Sequence, residues 1–174
     1  MQLAMVGLGR MGANLVRRAM RAGHECVVYS RTPDAVAMLV AEGATGASSL
    51  EDLATKLDTP RVVWIMVPSG VTDQVVTDVA EHLDAGDIII DGGNSYYRDD
   101  IDRAAQLREA RIHYVDVGTS GGVFGLERGF CLMIGGETEI VRHLDPIFMS
   151  LAPGVEAAER TDGRTGEPAP SEHG

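Results

Sequence analysis

Basic side chains are scarce in this sequence of 174 residues: Lys and Arg together number 15, against 26 Asp and Glu, for a formal net charge of −11. Such a surface repels nucleic acid, so any phosphate-bearing ligand must be held by a local arrangement of N–H groups and guanidinium groups. Lysine is almost absent, with Lys56 the only one. No apolar run approaches the ~20 residues that a membrane helix requires. No basic segment followed by an apolar stretch opens the chain, which gives no sign of a secretory signal and makes the cytoplasm the expected location. Cysteine is limited to Cys26 and Cys131, both in apolar strand-like stretches, and two buried free thiols are expected rather than a disulfide or a nucleophile. Neither the composition nor the motifs call for a metal.

What is present begins at once. Leu3 to Val6 is an unbroken apolar run, the pattern of a strand buried on both faces. Gly7, Gly9 and Gly12 follow in the G-x-G-x-x-G spacing, and a helical pattern starts behind them. Gly7 permits the tight turn out of the strand, Gly9 lets the backbone approach a pyrophosphate, and Gly12 lets the helix pack on the sheet. The N–H groups of that helix start and its positive dipole end complete an anion site. Gly7, Leu8, Gly9, Arg10, Met11 and Gly12 are therefore the first candidate cofactor residues.

Strand and helix patterns then alternate. Helices are expected over 10–21, 33–42, 50–56, 71–83, 97–110 and 137–151, and strands over 25–29, 43–47, 61–67, 88–90, 112–117 and 130–134. Arg17, Arg18 and Arg21 are expected as solvated charge, Thr32 as an N-cap before Pro33, and Pro146 as a kink or restart of the last helix with Asp145 as its cap. Residues 118–129 are glycine-rich and read as irregular. The fold class is α/β: a Rossmann-like, doubly wound, mostly parallel sheet with helices on both faces. A dinucleotide-binding domain is expected over 1–154, with 155–174 a flexible tail or the start of a linker to a further, helical domain.

Ligands of such sheets sit beyond the carboxyl ends of the strands. Five special loops fall there, at 7–12, 30–32, 67–70, 91–94 and 118–122. The second strand ends Tyr29-Ser30-Arg31-Thr32, where an Asp or Glu would hydrogen-bond the 2′-hydroxyl of NAD. The acid is missing. Arg31 offers charge-assisted bonds to a 2′-phosphate, and Ser30 and Thr32 donate beside it, which favours NADP with NAD as the alternative. The competing reading makes Arg31 a surface charge paired with Asp34.

Asp91-Gly92-Gly93-Asn94-Ser95 and Gly118-Thr119-Ser120-Gly121-Gly122-Val123, followed by Gly125-Leu126-Glu127-Arg128-Gly129 and Met133-Ile134-Gly135-Gly136, carry a resemblance. With them the sequence resembles 6-phosphogluconate dehydrogenase, the decarboxylating enzyme of the pentose phosphate pathway, over almost its whole length and in the wording of the shorter, bacterial branch. The wider β-hydroxyacid dehydrogenase group, with 3-hydroxyisobutyrate dehydrogenase, shares the glycine loop and a Ser-Gly-Gly loop. A non-catalytic NADP-binding module is the third reading.

The resemblance implies that Asn94 contacts cofactor and substrate, that Ser120, Gly121 and Gly122 bind the sugar acid, and that Val67, Pro68 and Ser69 line the cofactor's ribose and nicotinamide side. It implies a sugar acid phosphate as substrate, oxidised at C3 with NADP and then decarboxylated, and a homodimer at full length. The family's catalytic lysine and glutamate lie on helices beyond the dinucleotide domain. By that resemblance they are expected beyond Gly174, and no catalytic acid or base is expected in this chain. Lys56 lies outside every motif. The apolar face of the last helix is expected to be left exposed.

Overall fold

The computed structural model describes residues 1–154. The tail or linker expected over 155–174 lies outside the described residues, and so does Gly174, past which the catalytic acid and base are expected. The elements are β1 (Gln2–Val6), α1 (Arg10–Arg21), β2 (Glu25–Tyr29), α2 (Pro33–Ala41), β3 (Thr45–Gly46), α3 (Leu50–Thr55), β4 (Val62–Ile65) and α4 (Thr72–Ala80). They continue with β5 (Ile88–Asp91), α5 (Tyr97–Glu109), β6 (His113–Ser120), α6 (Gly125–Arg128), β7 (Cys131–Gly135) and α7 (Thr138–Leu151). The strands form one sheet in the order β3-β2-β1-β4-β5-β6-β7. All neighbours are parallel except β6 and β7. The order reverses between β1 and β4, which opens a crevice at their carboxyl ends. Among the described residues, no helix is long and apolar enough to cross a membrane.

The continuous apolar runs are two-faced strands, and alternate residues enter separate cores. Leu3, Met5, Val62, Trp64, Ile88 and Ile90 join Leu15, Val16, Leu144, Ile147, Phe148 and Leu151 of α1 and α7 on one face. Ala4, Val6, Val63, Ile65 and Ile89 join Leu53, Val76, Val79 and Leu107 on the other. Trp64 is fully buried, with its ring set edgewise against Phe148 at 6.1 Å between centroids and 73° between planes.

Several expectations are corrected. The strand read as ending at Val117 continues through Gly118 and Thr119 to Ser120, because β7 turns back and pairs antiparallel with it from Asp116↔Gly135 to Ser120↔Cys131. Helix α7 neither stops nor restarts at Pro146, since Leu144, Ile147, Phe148 and Leu151 on its buried face hold both halves against the core. That same packing covers the apolar face expected to be exposed. Thr32 is the N-cap of α2 and Pro33 opens the helix, as expected, but the Thr32 hydroxyl makes no capping bond; the Thr32 N–H donates to Ser30 Oγ at 3.3 Å.

The three arginines of α1 are not idle surface charge. Arg17 forms a two-pronged pair with Glu42, Nε to Oε2 at 2.6 Å and Nη2 to Oε1 at 2.7 Å. Arg18 donates to the Leu151 and Ala152 carbonyls at 2.9 and 2.6 Å, which fastens the end of α7 to α1. Arg21 reaches Glu127 at 3.1 Å. Cys26 is buried as expected, and burial pushes its thiol up to about 12. Cys131, expected to be buried, is instead exposed at the start of the edge strand β7, where Met133 and Ile134 are exposed as well.

Candidate dinucleotide-binding site

Two of the three tasks implied by the spacing of the glycine loop, the turn at Gly7 and the close packing at Gly12, are carried out, and Gly9 has the open space that the third requires. Gly7 has φ +100°, and a Cβ there would run into the Met66 carbonyl oxygen. Its N–H donates to the Tyr29 carbonyl at 3.0 Å, closing the turn out of β1. A Cβ on Gly12 would strike the Gly7 carbonyl oxygen, so α1 sits on the loop at a distance only glycine permits. Gly9 is the N-cap of α1, and a Cβ there would have no protein atom within 4 Å. Its space is open to a ligand, and the first-turn N–H groups of α1 receive no side-chain cap.

Two adjoining cavities flank this loop. One, of about 400 Å³, is lined by Gly7, Leu8, Gly9, Ser30, Arg31, Thr32, Val67 and Pro68, with Gln74 and Asp78 of α4 on its wall. The other, of about 490 Å³, is lined by Gly9, Arg10, Met11, Gly12, Val67, Pro68, Gly93, Asn94, Gly118, Thr119 and Met133. Gly9, Met66, Val67 and Pro68 belong to both, so the two make one crevice across the point where the strand order reverses. Arg31 is exposed, and among the described residues it makes no side-chain hydrogen bond and no ion pair, with Asp34 or otherwise.

Four candidates stand apart from the cavity walls. Ser69 begins a single 3-10 turn after Pro68, Ser120 is the exposed last residue of β6, and Gly121 and Gly122 follow it in the turn toward β7. Sequence reasoning missed Met66, Gln74, Asp78 and Met133. Gln74, Val75 and Asp78 recur at helical spacing on the cavity side of α4, with Val71 just before its first turn, a signal legible in the sequence. Met66 and Met133 gave none, being apolar residues in or beside apolar strands.

Beneath Asn94 lies a polar network that the motifs announced only in part. Asp91, the last residue of β5, is fully buried. Its Oδ1 accepts the Gly93 N–H at 2.9 Å and its Oδ2 the Ser95 hydroxyl at 3.1 Å, so both neighbours of Asn94 are pinned. The Tyr114 hydroxyl lies 2.9 Å from Asp91 Oδ2 and 3.0 Å from Asp100 Oδ1. Arg103 Nη1 donates to Asp100 at 2.6 Å and to Asp91 at 3.3 Å, while its Nε reaches Asp73 Oδ1 at 2.6 Å. Burial pushes the Asp100 carboxyl above its ordinary value, against the opposing hydrogen bond of Tyr114 and charge of Arg103. Burial and the Asp91 charge likewise raise the Tyr114 hydroxyl, which stays a neutral donor.

Lys56 is held on α3 by Asp52 at 2.7 Å and the Gly46 carbonyl at 2.8 Å, and it lines neither cavity.

Residues 2–158 match the family described as the NAD binding domain of 6-phosphogluconate dehydrogenase. The NAD(+)-dependent, decarboxylating 6-phosphogluconate dehydrogenase of Haloferax volcanii is 42% identical over 155 residues, which are 88% of this chain and 51% of that enzyme. The solved 6-phosphogluconate dehydrogenase of Plasmodium falciparum, described in apo form and in complex with NADP+ and with 6-phosphogluconate, superposes with a TM-score of 0.84. It shares 27% identity over 91% of this chain and 35% of its own. The 3-hydroxyisobutyrate dehydrogenase of Mycobacterium tuberculosis gives 0.80 at 25% identity, over 87% of this chain and 52% of its own. The chain thus spans about half the length of the Haloferax enzyme and about a third of the Plasmodium one. An NAD(P) crevice across a doubly wound sheet, and a match running from β1 past the end of α7, agree on one conclusion: the chain belongs to the family of NAD-binding domains of 6-phosphogluconate dehydrogenase.

Proposed function

We propose that this chain is the NADP-binding domain of a decarboxylating 6-phosphogluconate dehydrogenase, the part that binds the dinucleotide and presents one wall of the sugar-acid site. The observation that carries the reading is the single crevice running from Arg31, past Gly9, to Asn94. The adenosine ribose lies at its Ser30-Arg31-Thr32 end, the pyrophosphate over Gly9 and the start of α1, and the nicotinamide between Val67–Pro68 and Gly93–Asn94. When bound, the nicotinamide supplies the hydride acceptor. Everything else here is binding and orientation: Asn94 offers both a donor and an acceptor to neighbouring hydroxyls, and Ser120, Gly121 and Gly122, just beyond the rim, meet the sugar acid.

NADP rather than NAD follows from Arg31. A guanidinium with no partner among the described residues, flanked by two hydroxyls, suits a 2′-phosphate and leaves a 2′-hydroxyl without its customary carboxylate. The whole protein is read as a cytoplasmic enzyme of a sugar acid phosphate, dimeric at full length.

No group on this chain is assigned as acid or base; by the family resemblance both are expected beyond Gly174. Its one lysine is tied up on α3, away from the crevice. The purified chain mixed with NADP and 6-phosphogluconate is therefore expected to bind dinucleotide and to give no sustained NADPH formation in a steady-state assay. Sustained turnover would place the base within these residues and contradict the assignment. Turnover with a 3-hydroxyisobutyrate-type acid in its place would move the chain to the related hydroxyacid enzymes.

A further inference from the structure

We infer that Arg103 is a positioning residue that clasps the two walls of the nicotinamide-side crevice and fixes Asn94 between them; the inference rests on the dinucleotide reading above. One wall is the segment after β4, Val67 and Pro68, leading through a short turn into α4; the other is the segment after β5, Gly92 to Asn94. A single guanidinium joins the elements behind both. Its Nε and Nη2 meet Asp73 Oδ1, in the first turn of α4, at 2.6 Å each. Its Nη1 meets Asp91 and Asp100. Asp91 in turn holds the residues on either side of Asn94, through the Gly93 N–H and the Ser95 hydroxyl.

Burial makes this more than a surface pair. The side chains of Arg103, Asp91 and Asp100 are 6%, 1% and 9% exposed. Taking charges out of water is costly even when they are paired, and apolar side chains of similar volume hold a fold at least as well. A cluster of ions therefore contributes geometry. The guanidinium is planar and rigid, and its fork meets carboxylates at set angles, which suits it to fix the distance between two elements. The cluster lies directly under the loop that presents Asn94, at the strand ends, and the adenosine-side residues Ser30, Arg31 and Thr32 take no part in it.

The test compares two ligands on the 174-residue chain: NADPH, and 2′-phospho-ADP-ribose, which lacks the nicotinamide. Arg103→Lys keeps the charge and removes the fork. It is expected to weaken NADPH by about tenfold, or ~1.4 kcal/mol, and 2′-phospho-ADP-ribose by no more than about twofold. Two milder variants guard against misfolding. Asp73 is 77% exposed, so Asp73→Ala removes only the α4 end of the clasp, and Ser95→Ala removes one bond to Asp91. Each is expected to keep the wild-type melting temperature and to weaken NADPH alone, by about threefold. A purely structural role would change both ligands together or shift melting without selectivity. Equal losses for the two ligands, or none in the milder variants, overturn the inference and leave the dinucleotide reading standing. A wild-type chain that binds neither ligand overturns both.

Discussion

Gly12→Ala is expected to cost about 1–3 kcal/mol of stability and to abolish dinucleotide binding, whereas Gly9→Ala leaves the fold nearly intact and loses only the ligand. The two glycines lie three residues apart, Gly9 capping α1 and Gly12 in its first turn, and the difference comes from what stands beside each. A methyl on Gly12 meets the Gly7 carbonyl oxygen, a backbone atom that cannot rotate away. Relief requires α1 to lift or the turn at Gly7 to open, and either displaces the helix N-terminus from the anion site. A methyl on Gly9 meets no protein atom within 4 Å, and its φ of −66° suits any L residue. The fold then loses only the modest N-cap preference for Gly over Ala, a few tenths to about 1 kcal/mol. The methyl instead occupies the path of the pyrophosphate and is expected to weaken NADPH by about tenfold or more, ~1.4 kcal/mol. Urea denaturation and NADPH fluorescence titration of the two variants check the pair. Wild-type affinity in Gly9→Ala would show that the ligand does not cross Gly9.

Trp64→Ala is expected to have the larger effect on stability, a loss of about 3–5 kcal/mol. Trp64 lies on β4 in the middle of the sheet, fully buried, with Phe148 of α7 against its ring edge. Its removal leaves a cavity between the sheet and the α1–α7 layer, and rigid neighbours on both sides prevent collapse. Gly92 sits against the indole so closely that a Cβ there would collide with Nε1, an N–H with no partner among the described residues. The same substitution therefore loosens the loop leading to Asn94. With total stabilities of about 5–15 kcal/mol, the loss should move the urea midpoint far toward zero. A change below about 1 kcal/mol would mean that the β4–α7 packing contributes little.

Residues with a local signature are legible in the sequence by themselves. The unbroken runs at Leu3–Val6 and Ile88–Ile90 have no polar face, which only a strand covered on both sides tolerates, and their alternate residues do enter separate cores. The glycine loop declares its three tasks by spacing alone, and the special loops meet at one edge because parallel strands all end there. What escapes is set by partners distant in sequence. Gly118 to Ser120 look irregular by composition and become strand only because Cys131 to Met133 lie alongside. Arg18 looks like surface charge until the carbonyls of Leu151 and Ala152, more than a hundred residues away in sequence, come within its reach. The Asp91–Arg103–Tyr114 cluster gathers residues from β5, α5 and β6, each ordinary in its own segment. At Pro146 the reverse holds: the local rule that would restart the helix there gives way to the buried face of α7, which runs through it.

The most direct test of the NADP assignment is equilibrium binding of NADPH and NADH to the purified chain and to Arg31→Ala, at one fixed salt concentration. The expected result is NADPH tighter by about tenfold or more, ~1.4 kcal/mol, in the wild type, with the difference gone in Arg31→Ala. Equal affinities in the wild type, or a preference for NADH, would contradict the reading of Ser30, Arg31 and Thr32 as the 2′-phosphate end of the crevice.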